Sequence, residues 1–156
     1  MVETSGSGGA LPIPVQAPPE ISVTLTLSTT MPHPGQQLRF ELRVRNRGPR
    51  PVAYWRTGQE FDLWVDGPAG RVWRWSHSLA HRDPPEAFQA YLAQARLLPG
   101  QQHTRSAVWD QTPCADPATP LPPSRYLACG AWLATDPSGR SQGWWSDPVE
   151  FEIQTP

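Results

Sequence analysis

Several groups of residues in this chain have types and spacings that could carry chemistry. His77 and His81 stand at helical spacing, and a metal held there would draw a carboxylate from Asp83 or Glu86. These residues share a proline-bounded stretch, so a solvated loop is the plainer reading and no metal is expected. Asp62 and Asp66 would make an acid–base couple only by converging on a substrate. On the outward face of a strand they solubilise that face, or pair with Arg71 across a turn. Cys114 and Cys129 cannot form a zinc site alone. Two readings of them stay open: a disulfide worth on the order of 3 kcal/mol in an oxidising compartment, or a loop thiol and a buried strand thiol. His33 and His103 have no partner at readable spacing. No Gly-rich phosphate loop follows a strand, and no GxSxG elbow occurs. Neither an enzyme nor a cofactor is expected.

Tryptophan is the other reactive resource, with eight in the chain. Indoles on strands serve mainly as core, whereas exposed indoles anchor partners. Trp144 and Trp145 fall in a Gly/Ser-rich loop with Arg140 upstream, which suits a protein-contact site. The partner-contact candidates are therefore Arg140, Trp144, Trp145, Arg56 and His77, in loops spanning 56–60, 76–85 and 138–145.

Three more tryptophans occupy the hairpin "GQEFDLWVDGPAGRVWRWSHS", residues 58 to 78. Strand parity places Phe61, Leu63 and Val65 on one face, with Asp62, Trp64 and Asp66 on the other. Across a four-residue turn, "GPAG", Asp66 meets Arg71, Val65 meets Val72 and Trp64 meets Trp73. Trp75 shares the Trp73 face, but Arg74 then falls on the apolar side. A bulge near Arg74, or an edge position, resolves that conflict.

The elements that must position these residues are mostly strands. "EISVTLTLS" and "QLRFELRVRN" alternate apolar and polar residues, the mark of half-buried antiparallel strands. "VAYWR", the two arms of the hairpin, "QHTRSAVWD", "RYLACGAWLAT" and "PVEFEIQ" complete about eight strands. "RYLACGAWLAT" is apolar on both faces and hence central. Ala87, Tyr91 and Ala95 share a helical spacing behind Pro84-Pro85, predicting one short helix near 85–93. The fold class expected is all-β: an immunoglobulin-like antiparallel β-sandwich of about eight strands with one short inserted helix.

Composition bounds the rest. At 156 residues, 38% hydrophobic and with 20 prolines, the chain fits one domain plus loop or tail. Residues 1–19, rich in Gly, Ser and Pro, read as a disordered tail or linker, and 20–156 as the domain. The net charge of −1, with thirteen scattered arginines and no lysine, carries no nucleic-acid footprint. No apolar run suits a membrane span, and no signal peptide is visible. The chain is expected in the cytoplasm, or outside it if a signal was removed.

The ordered motifs F-D-x-x-V-x-D-x-x-G, V-W-R-W-S, F-x-x-x-L, L-x-P-G-Q and W-D stand here as "TGQEFDLWVDGPAGRVWRWSHS", "AFQAYL", "LLPGQQ" and "AVWDQ". Together they resemble the bacterial intracellular proteinase inhibitor family of the BsuPI type. The second strand running into Asn46, and "LPPSRYLACGAWL", are similar to that family as well. Phe61, Trp64, Trp73, Trp75, Phe88 and Trp109 carry the signature. An insertion, "HSLAHRDPPE", and Ser124 in place of a glycine depart from it, both in loops. The resemblance implies an immunoglobulin-like sandwich that inhibits subtilisin-type serine proteases through protein–protein contact. It supplies no reactive-site residue.

Overall fold

The alternating segments 21–27 and 38–46 pair antiparallel, from Ile21 opposite Asn46 to Leu27 opposite Phe40. Leu38, Phe40, Leu42 and Val44 are fully buried while the arginines between them face outward. Burying each such side chain contributes about 2 kcal/mol. The computed structural model describes residues 20–57, 59–80, 92–135 and 141–156, and all that follows concerns these. In chain order the elements are β1 (Ile21–Leu27), β2 (Leu38–Asn46), β3 (Val52–Thr57), β4 (Phe61–Gly67) and β5 (Gly70–Arg74), then α1 (Trp75–Ala80). They continue with β6 (Leu92–Leu97), β7 (Gln102–Trp109), β8 (Arg125–Thr135), β9 (Ser141–Trp145) and β10 (Val149–Glu152).

Two antiparallel sheets form an all-β, immunoglobulin-like sandwich. One has the order β1-β2-β7; the other runs β5-β4-β8-β3-β6, with β9 and β10 also pairing β8. The central β8 is apolar on both faces, as expected. Tyr126 and Ala128 face one cluster between the sheets, and Trp132 and Ala134 a second, while Cys129 and Ala131 face outward under Trp64 and Trp145. Gly130 lies tight beneath two core side chains: a Cβ there would sit 2.7 Å from Leu42 Cδ1 and 3.0 Å from Leu63 Cδ2. Only glycine leaves that space.

Three expectations are corrected. The segment 85–91 lies outside the described residues, and Leu92 and Ala93 of the expected helix begin β6, paired with Thr57 and Arg56. Sheet pairing there overrides the helical preference of "LAQARL". The helix that does form, α1, begins at Trp75, where Asp62 accepts the Ser76 N–H at 3.0 Å and so caps it. The loop read around Trp144 is strand β9, because Ser141 to Trp145 pair with Thr135 to Ala131. Finally, the hairpin turn is two residues, Pro68 and Ala69, since Gly67 pairs Gly70, whose φ of +122° suits glycine.

The hairpin register follows from a bulge. Asp66 does meet Arg71, with a 2.9 Å ion pair, but Val65 then meets Trp73 and Trp64 meets Arg74. The extra residue is Val72, two before Arg74, as the bulge expected near Arg74 requires. It moves Trp73 onto the core face, where it stacks on Phe40 and Trp109, and leaves Trp64 on the opposite face. Arg74 thereby leaves the apolar side, which removes the conflict.

Candidate functional site: a braced proline-rich ridge

Asp62 is not a solubilising surface residue. It is 0% exposed and accepts hydrogen bonds from Arg74 Nε (2.7 Å), Ser76 N and Oγ (3.0 and 2.7 Å) and the Leu63 N–H (2.9 Å). Arg74 is itself 8% exposed, so both charges are held away from water and depend on one another. Trp75 stacks on Phe61 with 4.3 Å between ring centroids. The F-D and W-R-W-S motifs therefore form one lock that ties α1 to the hairpin. No substrate need be invoked to explain them.

The sequence candidates are dispersed. Arg56 is ion-paired to Glu60, which also receives Arg105 Nη2 at 2.8 Å. Arg105 lies over the Trp132 ring, and His103 stacks on that ring at 5.5 Å. Burial alone would raise the Glu60 carboxyl, but hydrogen bonds and charge from Arg105 and Arg56 hold it below its ordinary value. His103 is pushed down, by burial first and then by Arg105. His77 is exposed on α1, with Nε2 3.3 Å from Arg74 Nη1. Trp144 is 4% exposed in the core, because strand parity turns it inward, so it presents no free indole to a partner. Trp145 lies edge-on to Trp64 at 4.8 Å, its indole N–H buried without a hydrogen-bond partner. Arg140, Phe88, His81, Asp83 and Glu86 lie outside the described residues. No group of three His, Cys, Asp or Glu side chains among the described residues could hold a metal.

Neither cysteine is disulfide-bonded in this structure. Cys129 faces outward from β8, its Sγ 3.2 Å from the Ser146 carbonyl. Burial pushes its thiol up more than the Ser146 hydrogen bond pulls it down. Cys114 packs against the inner core cluster instead.

Among the described residues, the most heavily braced exposed segment is one the sequence candidates omit, Asp110 to Ser124, joining β7 to β8. Its six residues Ala115 to Pro120 are all exposed. Its base is fastened at several points. Trp109 donates its indole N–H from the core to the Thr112 carbonyl at 2.9 Å. Gln111, 5% exposed and at φ +70°, donates to the His33 and Gln36 carbonyls and accepts from the Gly35 N–H. The Cys114 N–H donates to the Val72 carbonyl at 2.9 Å, so the bulge residue also secures this segment. Tyr126 OH donates to the Pro122 carbonyl at 2.7 Å. At the apex the Asp116 carboxylate accepts from the Ala118 N–H (3.3 Å) and Thr119 hydroxyl (2.5 Å), and the Thr119 N–H closes a turn onto the Asp116 carbonyl. Asp116 before a proline is a turn signal readable in the sequence.

Hollows of about 410 and 180 Å³ share the walls Asp110, Thr112, Pro113 and Pro117. The larger opens toward Trp73 and Ser78, the smaller toward Pro34 and Gly35. The segment is thus a ridge with a recess on either side.

A family model described as BsuPI, intracellular proteinase inhibitor, matches residues 25–136. The chain belongs to this family. The match runs from the end of β1 through β8 and takes in the lock, the ridge and the Glu60 cluster, so these are features of an inhibitor-family domain. No curated protein matches the chain. Among solved structures it is similar to a β-glucosidase from Erythrobacter marinus (13% identity, TM-score 0.41), covering 86% of this chain and 15% of that one. It is also similar to the C-terminal domain of wzt (9%, TM-score 0.49; 88% and 75% covered). Spo0M, a sporulation control protein from Bacillus subtilis, matches at 11% identity and TM-score 0.45, with 88% and 50% covered. The chain thus spans only a small part of the β-glucosidase and half of Spo0M. No helix among the described residues is long and apolar enough to cross a membrane.

Proposed function

We propose that this chain inhibits serine proteases of the subtilisin type by seating a preformed surface loop against the protease. The observation that carries the reading is the match to the intracellular proteinase inhibitor family over residues 25–136. Physical support comes from rigidity. A loop fixed before binding loses less conformational entropy on docking, so more of the contact energy appears as affinity. The word intracellular in the family description supports a compartment inside the cell. The partner is a protein; the net charge of −1 argues against nucleic acid.

The test is inhibition of a subtilisin-type and a trypsin-type protease by the purified full chain, assayed with small chromogenic substrates. Loss of subtilisin-type activity at near-stoichiometric inhibitor is the expected result. Degradation of the chain with protease activity intact would overturn the reading. Capture of assembly or envelope proteins in that event would favour an immunoglobulin-like interaction module instead.

A further inference from the structure

We propose that the Asp110–Ser124 ridge is the surface that enters the protease cleft, that it suits a small or apolar specificity pocket, and that it is not cleaved there. This rests on the inhibitor reading and adds the site, the specificity class and the mode of binding.

The site follows from exposure joined to bracing. Ala115 to Pro120 are exposed together, while Gln111, Trp109, Cys114 and Tyr126 tie the base to the core. Of the alternatives, the 56–60 segment is held by the Arg56–Glu60–Arg105 ion pairs, with Glu60 side-chain exposure only 10%. The hollows flanking the ridge give it relief on the scale of side chains, so a cleft can receive the apex while its rims settle into the recesses.

Specificity follows from charge. Residues 110–124, "DQTPCADPATPLPPS", contain two aspartates and no Lys, Arg or His. A trypsin-type pocket has a carboxylate at its base and needs a cation to fill it. The ridge offers only Ala118, Pro117, Pro120 and their neighbours, which suit a small or apolar pocket.

Resistance to cleavage follows from backbone form. A substrate lies extended, pairing main chain with the enzyme and holding its carbonyl in line for attack. Here the Asp116–Thr119 turn is closed by the Thr119 N–H and gripped by the Asp116 carboxylate, so the exposed peptide bonds are bent away from that form. The bonds to Pro117, Pro120, Pro122 and Pro123 also lack the N–H that a productive complex would pair.

The experiment uses the full chain, a subtilisin-type protease and a trypsin-type protease. Ala118→Glu and Pro120→Glu change exposed side chains and are expected to keep the unfolding temperature while weakening subtilisin-type inhibition roughly 30-fold or more. Thr104→Glu, on the outer face of β7, is expected to change it less than about twofold. Gln111→Gly keeps the positive φ but loses the brace, and is expected to weaken inhibition roughly tenfold. After prolonged incubation with protease, mass spectrometry is expected to find the wild-type ridge intact. Unchanged inhibition by both glutamate variants overturns the ridge assignment while leaving the inhibitor reading in place. A cut within residues 115–121, or stronger inhibition of the trypsin-type enzyme, overturns the binding mode or the specificity. A wild-type chain that inhibits neither enzyme overturns the inhibitor reading and the ridge assignment with it.

Discussion

At one end of the sandwich, Asn46 is 0% exposed and its amide donates to the Arg50 and Leu97 carbonyls and accepts from the Gly48 N–H. At the other end Gln111, 5% exposed, uses its amide in the same way on His33, Gln36 and Gly35. The device is one buried amide satisfying three main-chain groups that would otherwise be costly to bury. Its products differ. Asn46 closes tight turns, with Gly100 and Gln101 also bonded to its main chain, and projects nothing. Gln111 fixes the foot of a long proline-rich ridge that stands out from the fold. The contrast separates bracing that serves the fold from bracing that serves a surface.

The largest effect expected on this contrast comes from the lock beneath α1. Arg74→Ala leaves the buried Asp62 without its cation and should cost about 4 kcal/mol in urea unfolding. Because the Arg74 carbonyl and Ser78 lie beside Cys114 and the larger hollow, the variant should also loosen the ridge. A loss under about 1 kcal/mol would show that the lock does not hold the hairpin. Next, Asn46→Ala should cost about 3 kcal/mol by the same measurement yet leave protease inhibition unchanged at temperatures where it is folded. Gln111→Gly should reverse that balance, costing about 1 kcal/mol of stability while weakening inhibition. If the two variants behave alike, the two ends are not distinguished by function.

The smallest effect is a pH dependence at the sandwich edge. Glu60 has a folded pKa below its ordinary 4.5, held down by Arg105 and Arg56 against the effect of burial. Its contribution is therefore complete above about pH 4.5 and is lost as pH falls through the lowered value. Glu60→Gln should be less stable at pH 7 and should show a shallower fall in stability as pH drops below about 4.5. Parallel acid profiles for the two proteins would contradict the assignment.

Much of the fold could be read from residue order, because β1 and β2 alternate apolar and polar residues cleanly and β8 is apolar on both faces. What escaped reading has physical causes. Parity counting assumes an unbroken ladder, and the Val72 bulge breaks it, so Trp64 and Trp73 part company. β6 is written in helix formers and is a strand through its pairing with β3. β9 is Gly- and Ser-rich and is a strand because β8 offers it a partner. Asp62 looked like surface until Arg74 and Ser76 were brought onto it by that same bulge and the helix that follows. The ridge announced itself only as prolines. Its rigidity comes from Gln111 reaching residues 75 and 78 positions earlier in the chain, a relation that no local motif carries.

The most direct test of the account is amide hydrogen exchange on the full chain, free and in complex with a subtilisin-type protease. The account predicts new protection at the non-proline amides of residues 111–121 and no change at residues 46–50. Protection confined to residues 46–50, or a ridge that exchanges equally with and without the protease, would contradict it.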